Sequence, residues 1–151
     1  MSASQATRQI YTFYLDRHIF GVPVTCVQEI LRLQMLTRVP RSASVVAGLV
    51  NLRGHIVTAL DVRARLHLPP RPEQLCPMNV VVHTSAGPVS LLVDRTGDVL
   101  DCDPAQCEPV PDTVDAGLRP LFTGVLKLPD RLVLLVDVER VVTLPERVGA
   151  T

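Results

Sequence analysis

Three closely spaced aspartates are the first residues in this chain that could do chemistry. Asp98, Asp101 and Asp103 could supply the carboxylate oxygens that a hard cation such as Ca²⁺ prefers. Their spacing does not fit an EF-hand loop, and neither the central glycine nor the distal glutamate of that loop is present. We therefore expect these three carboxylates to be solvated residues of turns.

The histidines, cysteines and glycines form no local catalytic or metal-binding motif. The histidines are scattered over the chain, and the cysteines Cys26, Cys76, Cys102 and Cys107 include no C-x-x-C pair. A zinc site would have to gather His55, His67 and a cysteine, whereas such sites usually begin from a local pair. No G-x-S-x-G nucleophile motif and no phosphate loop occurs. We predict no catalytic residue, no metal ion and no cofactor.

Composition and charge exclude further classes of function. The chain has 15 Lys and Arg against 15 Asp and Glu, and this balance argues against a nucleic-acid binder or a polybasic membrane anchor. Neither a secretory signal nor an apolar stretch long enough to span a bilayer is visible, so we expect a cytoplasmic protein with free, buried thiols. Apolar residues make up 47% and aromatic residues 3%, which predicts an aliphatic core.

The elements that would position any functional side chain are organised around the stretch Val46 to Leu66. It reads as a strand, a tight turn, a second strand and a helical turn. Gly54 suits the positive φ that a tight reversal needs, and Arg53 lies at the tip of this turn. Asp61 can cap the helical turn that follows. Since both strands are apolar, we expect the hairpin to lie in the core.

The remaining elements are predicted as short strands with two short helices. Thr25-x-x-Gln28 matches a capping box and predicts a helix over Thr25–Leu31, whereas Asp137 is expected to cap a second helix over Val138–Leu144. We predict a strand over 33–39 and another over 98–102. Three hairpins are expected, turning at 16–17, 85–88 and 129–130.

The strand count predicts a mainly β protein made of closed or nearly closed small barrels. We expect a flexible tail over 1–9, one domain over 10–145 and a short tail over 146–151. The stretch 68–77 holds four of the 13 prolines and is predicted to be a connector between two lobes, since proline cannot donate to a strand ladder.

Several motifs, taken in order, resemble the CheW family of bacterial chemosensory coupling proteins. The resemblance covers about residues 10 to 144. The motifs are Phe20-Gly21-Val22, Val27-Gln28-Glu29-Ile30, the Gly48 to Gly54 turn with Asn51-Leu52-Arg53, Ile56 to Arg63, Val93-Asp94, Asp98-Val99-Leu100, Phe122-Thr123-Gly124 and Leu134 to Val138.

The resemblance implies a fold, an activity and partners. The fold would be two five-stranded SH3-like barrels packed side by side, with a third core between them. In this fold a middle lobe of about 17–75 would form one barrel, and about 10–16 plus 78–145 would form the other. The protein would be a non-catalytic adaptor that links the cytoplasmic tip of methyl-accepting chemoreceptors to the regulatory domain of a CheA-type histidine kinase. It would associate with receptor arrays at the inner membrane without inserting into the bilayer. The alternative that the residues leave open is a small barrel-fold enzyme or metal-binding protein with an unrecognised site.

The resemblance also implies site residues. Val27, Glu29 and Arg53 match positions tied to receptor binding, and Ile30 and Gly48 match positions tied to kinase binding. From its place in a tight turn we expect Arg53 to combine two roles, with hydrogen bonds inside the fold dominant over contacts with a receptor.

Overall fold

A computed structural model describes residues 8–32, 35–40 and 43–144 of the chain. Within these ranges the chain forms eleven strands and two short α-helices, joined by turns and single turns of 3-10 helix. The strands are β1 (Arg8–Leu15), β2 (His18–Pro23), β3 (Val27–Leu31), β4 (Val46–Leu52), β5 (His55–Asp61), β6 (Met78–Thr84), β7 (Gly87–Val93), β8 (Arg95–Cys102), β9 (Cys107–Glu108), β10 (Phe122–Lys127) and β11 (Leu132–Val136). The helices are α1 (Val62–Arg65) and α2 (Val138–Val142).

The strands form two sheets, as the predicted pair of SH3-like barrels requires. One sheet has six strands in the order β8-β1-β2-β11-β10-β9, and the other has five in the order β3-β6-β7-β5-β4. The sixth strand of the larger sheet, β9, is only two residues long. Neighbouring strands are antiparallel except for β2 with β11 and β5 with β7, which are parallel. The two-barrel architecture is confirmed, although neither sheet closes fully on itself.

The sheets divide the chain at other points than the predicted lobes. Strands β3 to β7, within 27–93, form the five-stranded sheet, whereas we predicted a middle lobe of about 17–75. β2 remains in the larger sheet because it forms a hairpin with β1. β6 joins the smaller sheet because it pairs with both β3 and β7. The proline-rich connector 68–77 therefore does not separate the two sheets. It links α1, which follows β5, to β6, and both of these strands belong to the five-stranded sheet.

Three apolar clusters fill the molecule. The largest lies between the sheets, with residues such as Phe13 and Phe20 from one sheet and Val80 and Val82 from the other. Val50, Val57 and Val81 are part of a second cluster inside the five-stranded sheet, and a third cluster fills the six-stranded sheet. Strand β6 contributes to two clusters because its alternate residues point to opposite faces and residues 79–82 are all buried.

The core is mainly aliphatic, as predicted, but its centre also contains aromatic residues. All three phenylalanines of the chain lie in the central cluster. Phe20 stacks between Phe13, at 5.8 Å between ring centroids, and Phe122, at 6.2 Å. These few aromatic residues are concentrated where the two sheets meet.

The hairpin predicted over Val46 to Leu66 is confirmed. Its turn consists of Arg53 at φ 53° and Gly54 at φ 87°, and this pair of positive φ angles suits a two-residue hairpin turn. The Asn51 side chain accepts a hydrogen bond from the Gly54 N–H at 3.0 Å. Asp61 caps α1 through the Arg63 N–H, as expected. Asp137 likewise caps α2, which ends two residues earlier than predicted, at Val142.

The helix predicted over Thr25–Leu31 is wrong. Residues Val24–Cys26 form one turn of 3-10 helix without a side-chain cap, and Val27–Leu31 is strand β3. The strand is favoured because pairing with β6 satisfies the backbone N–H and C=O groups of β3. A helix this short is not stable on its own hydrogen bonds. Tertiary pairing thus overrode the local capping signal.

The strand predicted over 33–39 is also not found in its described part. Residues 33–34 lie outside the described residues, and in 35–40 only Thr37 pairs, as an isolated bridge to Leu49 of β4. The predicted hairpins at 16–17, 85–88 and 129–130 are all present, as β1–β2, β6–β7 and β10–β11.

A buried ion pair joins the two sheets at the end of β7. The Arg63 guanidinium donates to the Asp94 carboxylate from Nε at 2.9 Å and from Nη2 at 2.5 Å. Both side chains are 6% exposed. Asp94 also accepts the Asp16 N–H at 2.7 Å, and Arg63 Nη1 donates to the carbonyls of Pro69 and Pro70. One carboxylate thereby fixes α1, the β1–β2 turn and the proline-rich connector.

The surroundings of Asp94 lower the pKa of its carboxyl. Burial acts to raise this pKa, but the hydrogen bonds from Arg63 and from the Asp16 N–H, with the charges of Arg63 and Arg71, outweigh it. Since the pKa is lower in the folded than in the unfolded protein, the unfolded chain takes up the proton first on acidification. The stabilisation is therefore present above the ordinary aspartate pKa of about 4 and is lost as the pH falls.

Asp94→Asn should reduce the free energy of unfolding at pH 7 by about 3–5 kcal/mol, because it leaves the buried Arg63 charge without a counter-ion. Chemical denaturation of both proteins measures the loss. Asp130→Asn is the matched control, since that side chain is 82% exposed and should change stability by less than about 0.5 kcal/mol. The gap between wild type and Asp94→Asn should narrow below about pH 4; a gap independent of pH would contradict the ion-pair role.

Gly48 is required by the fold itself. A Cβ at this buried residue would lie 2.7 Å from the backbone carbonyl oxygen of Thr37. This oxygen accepts the Leu49 N–H at 2.8 Å, and the Thr37 N–H donates to the Leu49 carbonyl at 2.9 Å, so the Thr37 backbone is held in place. Gly48 was predicted from family resemblance to bind the kinase. The structure adds a second reason for a glycine at this position, since a side chain would collide with the Thr37 backbone.

Gly48→Val should therefore lower the free energy of unfolding by about 1–3 kcal/mol, because backbone must move to admit the side chain. Gly117→Val is the control, since the nearest atom to a Cβ there is a side-chain oxygen at 3.6 Å. Denaturation midpoints of the two variants check the prediction, and equal stabilities would show that Thr37 imposes no constraint.

Candidate functional site

An exposed ion pair links the two edges of the five-stranded sheet. Arg53, at the β4–β5 turn, donates from Nη1 to Glu29 Oε2 on β3 at 2.9 Å. β3 and β4 are at opposite ends of the strand order, so the sheet must curl until its edges approach. The Glu29 side chain is 17% exposed and that of Arg53 is 77% exposed. We call this junction the β3/β4 seam.

The expected internal partner of Arg53 is thus present, but the bond is at the surface. Exposed ion pairs contribute about 0–1 kcal/mol, since water screens the charges. Four of the five guanidinium donors have no hydrogen-bond acceptor assigned in the described residues. The arginine is therefore oriented by Glu29 while most of its fork faces solvent, where a carboxylate or carbonyls of a partner could reach it.

The β3/β4 seam contains a small cleft of about 170 Å³. It is lined by Glu29, Leu31, Asn51, Leu52 and Arg53. Below it, Leu31 packs against the cluster inside the five-stranded sheet. The cleft is too small for a drug-sized ligand, which typically needs about 300–1,000 Å³, so a side chain or backbone segment fits it better.

The other predicted site residues lie on the same sheet. Ile30 is 37% exposed on β3, beside Glu29. Val27 is half-buried and packs against the central cluster, so part of its surface serves the fold. Gly48 is buried on β4 beneath Thr37. The structure brings Glu29 and Arg53 into contact. It places Ile30 next to Glu29 in β3 but on the opposite face of that strand, and it places Gly48 on β4, at the far side of the seam.

Most of the exposed apolar residues on the five-stranded sheet and on the segment 35–40 were not predicted from the sequence; Ile30 was, as a binding residue. Among the described residues, six large apolar side chains are exposed, and four of them belong to β3, β5 and the segment 35–40 that pairs with β4. These four are Ile30, Met35, Val39 and Ile56. Met35 at 90% and Ile56 at 66% expose most of their side chains. Their sequence contexts gave no signal because isolated apolar residues in strands are normally taken as core.

The described residues offer little for catalysis or metal binding. No group of three or more His, Cys, Asp or Glu side chains within them is arranged to hold a metal ion. Asp98, Asp101 and Asp103 are exposed, as expected, but Asp98 and Asp101 lie on strand β8 and only Asp103 lies at a turn, as the cap of the 3-10 turn that follows. The four cysteines are free, but of these only Cys102 is buried. Across the same ranges, no helix combines the length and apolar character needed to cross a bilayer.

A family model and the sequences of known relatives point to the same family. The CheW-like domain model matches residues 9–146. The chemotaxis protein CheW of Rhizobium meliloti is 29% identical, over 95% of this chain and 92% of its own length. The chemotaxis protein CheW of Klebsiella aerogenes is 27% identical, over 92% of this chain and 84% of its own.

A solved structure supports the fold. The scaffolding protein TtCheW from Thermoanaerobacter tengcongensis superimposes with a TM-score of 0.83 at 22% sequence identity, covering 93% of this chain and 96% of that one. The two curled sheets with a shared core are thus an established architecture. The chain belongs to the CheW-like domain family of chemotaxis adaptor proteins, which act as scaffolds and not as enzymes.

Proposed function

We propose that this protein couples methyl-accepting chemoreceptors to the regulatory domain of a CheA-type histidine kinase in the cytoplasm, within receptor arrays at the inner membrane. Val27, Glu29 and Arg53 would contact the receptor tip, and Ile30 and Gly48 would belong to the kinase-binding face. The observation that carries the proposal is the β3/β4 seam, where an oriented but largely exposed arginine lies on a sheet that also exposes the apolar side chains of Ile30 and Ile56.

The chemistry of the seam suits a helical partner such as a receptor tip. A protein interface needs apolar residues to bury and a few oriented polar groups to fix the geometry. Ile30 and Ile56 supply exposed apolar area, and Arg53 supplies a planar donor group that matches carboxylates. The formal net charge of zero leaves no basic excess, so specificity would come from the local pattern and not from overall charge.

The kinase-binding role of Ile30 and the receptor-binding role of Arg53 can be tested separately. Ile30 contributes apolar surface on an edge strand, where a charge would oppose burial by a partner. Arg53 contributes directional donors, which lysine cannot reproduce. Val27 is less suited to this test because it packs partly against the central cluster, and a change there would also alter stability.

Ile30→Asp should weaken binding to a CheA-type regulatory domain by tenfold or more, or about 1.4 kcal/mol, because a carboxylate would have to be buried in the interface. Titration calorimetry gives the affinity, and the denaturation midpoint should stay close to that of wild type. Leu132→Asp is the control, since Leu132 is 57% exposed on the other sheet. Equal losses from both variants would place kinase binding elsewhere.

Arg53→Lys should change the free energy of unfolding by less than about 0.5 kcal/mol, because its partner Glu29 is retained and the pair is exposed. Binding to a receptor tip should fall about 10- to 100-fold, which corresponds to one lost charge-assisted hydrogen bond. A receptor-binding assay beside chemical denaturation measures both.

Arg17→Lys, at the exposed β1–β2 turn, is the matched control for this substitution. It should leave receptor binding and stability unchanged. A stability loss above about 1.5 kcal/mol in Arg53→Lys with intact binding would assign this arginine to the fold and remove it from the receptor site.

A further inference from the structure

Two cysteines lie in contact at the edge of the six-stranded sheet. The sulfur atoms of Cys102 and Cys107 are 3.1 Å apart, and both residues are free thiols. A disulfide bond has a length of about 2.05 Å, so an approach of about 1 Å would bring the two sulfurs to bonding distance. The four intervening residues make this pair invisible to a search for C-x-x-C motifs.

The local structure fixes the two thiols in this arrangement. Cys102 ends β8 and Cys107 begins β9, and residues Pro104–Gln106 form a turn of 3-10 helix between them. The Asp103 carboxylate caps this turn by accepting the Ala105 N–H at 2.9 Å. The Asp103 carbonyl accepts the Gln106 N–H at 2.8 Å. The loop therefore brings the thiols together before any bond forms.

The pair also connects the two ends of the sheet. β8 and β9 are the first and last strands in the six-stranded order, so contact between them requires this sheet to curl as the other does. β9 is held to β10 by only two residue pairs, Val125 with Glu108 and Leu126 with Cys107. A covalent bond at Cys107 would therefore anchor the most weakly held strand.

Solvent and small oxidants can reach these thiols. Both cysteines line an open groove of about 640 Å³, whose other walls include Ile10, Gly21 and Leu135. Cys107 is the more exposed of the two, whereas Cys102 is 7% exposed. Burial raises the pKa of the Cys102 thiol to about 12, and the neighbouring Cys107 adds to this effect. Cys102 therefore remains a protonated thiol at neutral pH.

We propose that Cys102 and Cys107 form a redox-modification site, in which a peroxide converts the two thiols into an intramolecular disulfide that joins β8 to β9. This function goes beyond the coupling of receptors to a kinase. It requires no metal ion and no other chain, only a hydroperoxide as two-electron oxidant.

The chemistry proceeds in two balanced steps. The Cys107 thiol gives up its proton and its sulfur attacks one peroxide oxygen. The O–O bond breaks, that oxygen stays on sulfur as a sulfenic acid, and the departing hydroxide takes up the thiol proton and leaves as water. The Cys102 sulfur then attacks the sulfenic sulfur, the S–O bond breaks, and a second water leaves with the Cys102 proton. In sum, two thiols and one peroxide give one disulfide and two waters. Thiol–disulfide exchange with a dithiol reductant reverses the modification.

Peroxide treatment of the native wild-type protein followed by alkylation tests the proposal. Trypsin releases residues 96–127 as one peptide, which contains both of these cysteines and no other. We expect this peptide to lose both alkylation sites and to be about 2 Da lighter than the unalkylated reduced peptide. Dithiothreitol should restore both sites. Oxidation should also slow amide exchange in β9 and in the facing residues of β10 by about threefold or more.

Three comparisons keep the test decisive. Cys107→Ser changes the less buried partner and should abolish the 2 Da loss while Cys102 stays reduced. Protein unfolded in guanidinium should form the bond at least about tenfold more slowly, since the native loop preorganises the sulfurs. Cys76, which is exposed and remote in sequence, serves as internal reference.

Several results would overturn the proposal. Both thiols could remain alkylatable at a peroxide dose that oxidises Cys76. Cys107 could instead accumulate as sulfinic or sulfonic acid with Cys102 unchanged. Equal rates in the native and unfolded protein would show that the fold contributes nothing to the pairing.

Discussion

The place where the two sheets meet is held by one buried contact, that between Arg63 and Asp94. Asp94 lies between β7 and β8, where the chain passes from one sheet to the other, and Arg63 lies on α1. The same carboxylate holds the β1–β2 turn through the Asp16 N–H. Burying these two charges is tolerated because they pair with each other and with neighbouring polar groups. Removing one partner would leave the other as an unpaired buried charge. The contact therefore specifies the relative placement of two sheets that apolar packing alone would align less exactly.

The two sheets share one way of handling exposed edges. Each curls until its first and last strands approach, and in each a side-chain contact crosses the gap. In the smaller sheet this is Glu29 with Arg53, and in the larger it is Cys102 with Cys107. Unpaired edges invite association with other chains, and curling reduces this exposure. The two contacts differ in chemistry, so the edges can take different roles: one presents charge and apolar surface, and the other carries reactive sulfur.

Much of the fold could be predicted because local signals agreed with the final structure. The β4–β5 hairpin combines two apolar strands with a turn that needs positive φ, and both features depend only on nearby residues. Strand β3 could not be predicted in this way. Its sequence from Val27 to Leu31 fits a helix as well as a strand at such a short length, and only pairing with β6 decides between them.

The site residues stay a prediction from family resemblance, and the geometry that joins two of them could not be predicted. The residues Glu29 and Arg53 could be named from family resemblance, yet their contact depends on the curl of a whole sheet. The same holds for Arg63 with Asp94 and for Cys102 with Cys107, whose partners meet through topology and a specific loop. No sequence pattern predicts such side-chain contacts, because each of these residues taken alone looks like an ordinary surface or core residue.

The parallel pairing of β2 with β11 bears on how the chain folds as it is made. All strands of the five-stranded sheet are contained in residues 27–93, so all of them are synthesised before the last third of the chain. The six-stranded sheet instead needs β11 between β2 and β10, and it cannot form until about residue 136 has emerged. During that interval β1 and β2 have no complete sheet to join, and their apolar faces depend on the smaller sheet for cover. Synthesis from the N-terminus thus sets the order of assembly, in which the first strands made are among the last to find all their neighbours.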